Sequence, residues 1–213
     1  MDLITPFLKL FFHLIYNRLA WIYDFVSRTV SGGRWNSWVL SVVPFIQGPA
    51  VLELGFGPGH LLAALAQSGL KVVGMDASRQ MSRLAKRRLS QQKLPAALVT
   101  GYGEYLPFCE GCFNSVAATF PTAYILQPAT LENIFRILAP GGRLVILLSA
   151  WIIDPSLSGR GLAWLFRVTG QELPQQFDVQ NLLLRFQTAG FQAYPEWTSL
   201  PGSKLFFIIA ERK

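Results

Sequence analysis

Val51-Leu52-Glu53-Leu54-Gly55-Phe56-Gly57-Pro58-Gly59-His60 sets apolar residues around one acid and then three glycines at alternate positions. An apolar helical pattern from Leu61 to Leu70 follows. The order is that of a buried strand, a tight glycine turn and a helix whose N-terminus faces a ligand. Glycine suits the turn because a Cβ would hold the ligand away from the backbone. A dinucleotide-binding turn instead spaces its glycines G-x-G-x-x-G and packs a pyrophosphate on the helix N-terminus. Here the spacing is G-x-G-x-G, with Glu53 two residues upstream. A carboxylate there repels a pyrophosphate and suits a cationic ligand or an α-amino group. The next strand, Lys71 to Met75, ends in Asp76. That acid lies about 20 residues beyond the turn, where a carboxylate takes two ribose hydroxyls.

Glycine turn, upstream acid and ribose acid together resemble the class I S-adenosylmethionine (SAM)-dependent methyltransferases. Three further stretches extend the resemblance in order: Gly101-Tyr102-Gly103-Glu104-Tyr105-Leu106-Pro107-Phe108, then Phe113 to Phe120, then Leu138-Ala139-Pro140-Gly141-Gly142-Arg143-Leu144. The resemblance covers residues 50–150 and implies an α/β, Rossmann-like fold. Its sheet would have seven mostly parallel strands, helices on both faces and a C-terminal antiparallel hairpin. It implies SAM as cofactor, released as S-adenosylhomocysteine, and a cofactor site of Glu53, Gly55, Gly57, Gly59, Asp76, Ala77, Gly103, Glu104, Phe120 and Tyr23. Family members often carry an acid for the adenine amino group where this chain has Tyr102. A nicotinamide dehydrogenase is the competing cofactor reading.

A chain of 213 residues is long enough for one domain with a sizeable core. We expect residues 1–45 to form an apolar helical arm or lid on it, and 46–213 the SAM-binding part. Hydrophobic residues make up 51% and the formal net charge is +7. That balance suits an anionic membrane surface or an acidic substrate. No run interleaves cations with aromatics and no familiar nucleic-acid module is present, which excludes nucleic acid as the expected partner. The two cysteines, Cys109 and Cys112, lie in a short turn, and only His13 and His60 are available as imidazoles. No metal site is expected, and two cysteines without a disulfide framework fit a reducing, cytoplasmic compartment.

Apolar side chains dominate from Leu3 to Val26, interrupted by Lys9 and Arg18. A bilayer span wants about 20 apolar residues with few charges, so neither a span nor a signal peptide is favoured. On a helix, Lys9, His13, Asn17, Asp24, Ser27 and Arg28 form one narrow polar stripe. The wide apolar remainder must be buried, either as a lid on the domain or in a membrane interface through residues 1–28. Within this arm, Ala20-Trp21-Ile22-Tyr23-Asp24, followed by Ser31-Gly32-Gly33-Arg34-Trp35 and Trp38, resembles the N-terminal segment of the ubiquinone/menaquinone C-methyltransferases. In that family the segment folds over SAM and helps to form the substrate pocket. The family's Arg-Asn-Val run after the fourth strand is replaced here by Phe120-Pro121-Thr122-Ala123-Tyr124. That run also differs from the Asp/Asn-Pro-Pro-aromatic run of amino-methylating nucleic-acid enzymes, which argues against a nucleobase acceptor.

The basic residues of the helix Ser78 to Gln92, namely Arg79, Arg83, Lys86 and Arg87, share one face, either solvated or facing anionic lipid. The aromatic connection Trp151 to Arg167 is ordinary packing or the roof of a greasy substrate pocket. Methyl transfer rests on alignment and exclusion of water, while carbon or oxygen acceptors also need a base. His60, Tyr124 and Asp154 are the candidates, and the residues do not choose among them. The expectation is a SAM-dependent methyltransferase for a small hydrophobic acceptor, such as a lipid or isoprenoid quinone, peripheral on the inner face of the membrane. A soluble natural-product O- or N-methyltransferase and a SAM-binding scaffold without turnover are the alternatives.

Overall fold

The computed structural model describes residues 31–153 and 178–213. The expected arm residues 1–30, with Tyr23, lie outside them, as do Asp154 and most of the 151–167 connection. The chain enters through helix α1 (Trp35–Leu40) and a short 3-10 turn, then alternates β1 (Ala50–Leu54), α2 (His60–Gln67), β2 (Lys71–Asp76), α3 (Arg79–Gln91) and β3 (Ala97–Thr100). Strand β4 (Phe113–Thr119), a 3-10 turn at Ala123–Leu126, α4 (Pro128–Ile137) and β5 (Leu138–Ile152) follow. Helix α5 (Val179–Thr188), β6 (Gln192–Leu200) and β7 (Ser203–Glu211) complete it.

The seven strands lie in the order β3-β2-β1-β4-β5-β7-β6. Strands β1 to β5 pair in parallel, and β7 runs antiparallel to both β5 and β6. The expected seven-stranded, mostly parallel sheet with a terminal hairpin is therefore present. Pro201 and Gly202 make the hairpin turn, with Gly202 at φ 68°, the left-handed angle that Pro-Gly turns need at their second residue.

Alternation along the strands builds two apolar layers. Val51, Val145, Leu147 and Phe207 pack with Trp38, Leu61, Leu62 and Ala85 on the α1–α2–α3 side. Leu52, Leu54, Leu144, Ile146, Phe206 and Ile208 pack with Leu131, Ile134, Leu182 and Phe186 on the α4–α5 side. Both faces are covered, so the central strands read as unbroken apolar runs rather than as alternation. Trp38, Val39 and Val42 are buried in the first of these layers, so residues 35–42 share the core of the sheet. The chain turns to opposite sides of the sheet between β1 and β4, and a crevice opens beyond their C-terminal ends, the usual ligand position in open α/β sheets.

Candidate cofactor site

Three glycines give the turn after β1 its shape, each for its own reason. Gly55, Gly57 and Gly59 all have positive φ, at 69°, 52° and 79°. A Cβ on Gly59 would meet Ala85 Cβ at 2.8 Å, so this glycine lets α2 pack on α3. Gly57 is buried yet a Cβ on it would touch nothing within 4 Å, because that side faces the cavity. A Cβ on Gly55 would lie 2.9 Å from the Tyr124 hydroxyl.

Asp76 holds this turn from the end of β2. Its Oδ2 accepts the Gly57 N–H at 2.9 Å and its Oδ1 accepts the Ser78 N–H at 2.7 Å. One carboxylate therefore joins the glycine turn to the start of α3, where Ser78 caps the helix by accepting the Met81 N–H. From α3, Arg88 reaches back to donate to the Pro58 carbonyl. A carboxylate oxygen can accept more than one hydrogen bond, so support of the turn is compatible with the expected ribose contact.

The cavity above the turn has a volume of about 320 Å³. Of the expected cofactor residues, Glu53, Gly55, Gly57, Asp76, Ala77, Gly103, Glu104 and Phe120 all line it; Gly59 stands behind it as packing. His60, at the first position of α2, and Tyr124 line it as well. Glu53, Asp76 and Glu104 bring three carboxylates to the wall, and the described lining residues include no Lys or Arg. A pyrophosphate finds no counter-charge there, whereas an ammonium or sulfonium does.

Two polar atoms in the wall are unsatisfied. Glu53 is 1% exposed; it accepts a backbone N–H from Leu62, while its Oε2 has no partner. Burial first and the Asp76 charge second push this carboxyl well above its usual range. The Tyr124 hydroxyl is likewise shielded and without a partner. Burial, then the Asp76, Glu53 and Glu104 charges, push its pKa above that of an ordinary phenol. At neutral pH it is a hydrogen-bond donor rather than a base. Buried polar atoms are normally paired, so two of them around one cavity mark it as made for a polar ligand.

Aromatic rings line the cavity as well. Phe120 closes β4 with φ 47°, a left-handed angle that is costly for a bulky residue, of order 1–3 kcal/mol. Its N–H donates to the Leu147 carbonyl at 2.8 Å, and its ring stacks on Trp35 with centroids 4.6 Å apart. Trp35, Phe56, Val39 and Leu61 line the same cavity. The glycines of the loop after β3 have little space for added atoms. A Cβ on Gly101 would meet Met75 Cε at 2.5 Å, and one on Gly103 would meet Thr130 and Tyr124 at 3.0 Å. Tyr102, where the family often has an acid, lines the cavity while remaining 65% exposed.

Sequence reasoning placed Tyr124 among bases at strand ends, whereas it lies in a 3-10 turn with its hydroxyl beside Gly55. The lining role of Val39 and Met75 carried no local signal. Cys109 and Cys112 are both free thiols, and no group of three or more metal-ligating side chains occurs among the described residues.

The fold and this acidic, glycine-floored crevice belong together in one class, and comparison with known proteins gives the same one. A methyltransferase-domain family model matches residues 51–142. An uncharacterized methyltransferase of Synechocystis sp. is 36% identical over 151 residues, covering 65% of this chain and 69% of that protein. The chain belongs to the class I SAM-dependent methyltransferases. A demethylmenaquinone methyltransferase of Symbiobacterium thermophilum is 32% identical over 143 residues, covering 62% of this chain and 57% of the relative. The chain thus spans under two thirds of the length of the quinone-methyltransferase relatives it matches. A SAM-dependent methyltransferase from Aquifex aeolicus shares the fold, with a TM-score of 0.61 at 17% identity over 84% of this chain and 89% of that one.

Proposed function

We propose that this protein transfers the methyl group of SAM to a small hydrophobic acceptor of the lipid or isoprenoid-quinone type, at the inner surface of a membrane. The observation that carries the reading is that one cavity is lined both by three acidic side chains and by aromatic rings. Glu53, Asp76 and Glu104 suit a ligand bearing an ammonium, a sulfonium and a ribose diol; Trp35, Phe56 and Phe120 suit a flat apolar acceptor. Relatives named as demethylmenaquinone methyltransferases support the acceptor class.

Bound there, SAM supplies an electrophilic methyl group on a sulfonium. The protein's part is to hold and to exclude. Gly57 would let the backbone approach, Asp76 would hold the turn and face a diol, and Glu53 Oε2 would accept from an ammonium. The Trp35–Phe120 stack keeps water from its part of the cavity. Among the described lining residues His60 carries the one imidazole, which makes it the candidate base for a carbon or oxygen acceptor.

The test is calorimetry with SAM, followed by transfer of labelled methyl from SAM into demethylated quinones, lipids and water-soluble phenols. Binding of SAM with label in an apolar acceptor is the expected result. Folded protein that does not bind SAM would overturn the reading; label only in water-soluble acceptors would replace it with the soluble natural-product alternative.

A further inference from the structure

We propose that the outer face of α3, with the neighbouring Tyr102–Tyr105 loop, is a docking surface for an anionic lipid bilayer. The inference rests on the apolar acceptor proposed above and adds where, and by what forces, the protein meets the membrane.

Residues 78–93 contain Arg79, Arg83, Lys86, Arg87, Arg88 and Lys93 and no Asp or Glu. The rest of the chain holds 13 Lys and Arg against 12 Asp and Glu, so this one segment accounts for nearly all of the net +7. Arg88 is turned inward to the Pro58 carbonyl. Arg79, Arg83, Lys86, Arg87 and Lys93 are exposed. Their side chains make no ion pair or hydrogen bond with the described residues. The buried residues of α3 are Met81, Ala85 and Leu89, so the other face is the one packed on the sheet. Like charges at i and i+4, as in Arg79–Arg83 and Arg83–Arg87, disfavour an isolated helix. A helix surface that is merely solvated normally intersperses acids to relieve this; here an outside anion must do so.

The position of the patch selects a bilayer. Helix α3 and the loop after β3 leave the same edge of the sheet, because Asp76 and Thr100 are paired in the β2–β3 ladder. Strand β3 is an edge strand, so nothing in the sheet lies beyond it. The loop carries Tyr102 and Tyr105 at 65% and 80% exposure, and Tyr102 lines the cavity. Tyrosine partitions to the boundary between headgroups and acyl chains, with Lys and Arg facing anionic headgroups. The start of α3 and the interfacial tyrosines thus lie at the end of the sheet where the mouth opens to an apolar acceptor.

The experiment is flotation of the full chain with vesicles of 70% phosphatidylcholine and 30% phosphatidylglycerol, against pure phosphatidylcholine, at low and physiological salt. The variants are Arg83→Gln/Lys86→Gln/Arg87→Gln together, and Tyr105→Ala. Each cation at an anionic surface contributes roughly a factor of five in affinity, so the triple variant should bind the anionic vesicles on the order of a hundredfold more weakly. Wild-type binding should fall with salt, and Tyr105→Ala should lose several-fold. SAM affinity should be unchanged in both, which reports that they are folded. Equal partition of wild type and triple variant, or equal binding of wild type to both vesicle types, would overturn the proposal. So would displacement from anionic vesicles by duplex DNA at equal phosphate concentration, which would assign the patch to nucleic acid. None of these outcomes decides whether the protein transfers methyl from SAM to an apolar acceptor; that reading fails separately if the wild type does not bind SAM.

Discussion

Replacing Glu53 by Gln should push apo stability and ligand affinity in opposite directions. The carboxyl is 1% exposed, lies near Asp76 and has one oxygen without a partner. Burial and the Asp76 charge raise its pKa in the folded chain above the unfolded value. The folded state therefore holds a proton that the unfolded state releases, and this site costs stability as pH rises above the ordinary carboxylate range. Gln keeps an oxygen for the Leu62 N–H and removes the charge. The apo protein should gain about 1 kcal/mol, which for a domain of this size is roughly 2–4 °C in Tm, and the gain should grow from pH 5 to pH 8. A ligand ammonium would meanwhile lose a charge-assisted hydrogen bond of about 1.5–3 kcal/mol, weakening SAM roughly ten- to a hundredfold. Thermal unfolding across pH and calorimetry with SAM measure the two sides. Calorimetry in buffers of different ionisation enthalpy should show proton release on SAM binding by the wild type and less by the variant. A variant that melts lower while binding SAM as before would refute the reasoning, since it would make Glu53 a structural acid only.

Other substitutions separate ligand contacts from packing. Gly57→Ala adds a methyl that meets only the cavity, so stability should fall by the backbone strain of about 1 kcal/mol, roughly 2–4 °C in Tm, while SAM binding drops steeply in titration. Gly59→Ala places its methyl 2.8 Å from Ala85 Cβ and should cost several kcal/mol, seen as a much lower Tm or insoluble protein. Tyr124→Phe removes a buried hydroxyl without a partner; the apo protein should melt at or above the wild-type temperature, while SAM binds several-fold more weakly. The raised phenol pKa adds that wild-type stability declines above about pH 10, where the unfolded tyrosine ionises, and less so in Tyr124→Phe. Asp76→Asn faces an amide N–H₂ toward a backbone N–H at one of its two oxygens, and should lose about 2 kcal/mol in denaturant titration together with SAM binding.

What could be read from the chain alone was short-range. The strand–glycine–helix unit, Asp76 at the end of β2 and the unbroken apolar runs of the central strands are set within windows of a few residues, by steric freedom at glycine and by burial of both strand faces. The family's motif blocks were legible for the same reason: three of them lie at the C-terminal ends of β1, β3 and β4, which the parallel crossovers bring to one edge, while Leu138–Leu144 opens β5 at the other. The basic face of α3 also followed from helical spacing.

Only the tertiary structure decided which distant residues meet. Trp35 stacks on Phe120, Tyr124 points at Gly55, and Arg88 returns to Pro58, each contact closing a long stretch of chain. The positive φ of Phe120 has no local signature, because L-residues with bulky side chains avoid it unless surrounding contacts enforce it. The orphaned oxygens of Glu53 and Tyr124 are likewise a property of burial. In the sequence they are ordinary polar side chains, and only the packing of β1, β2 and the 123–126 turn removes water from them and leaves them for a ligand.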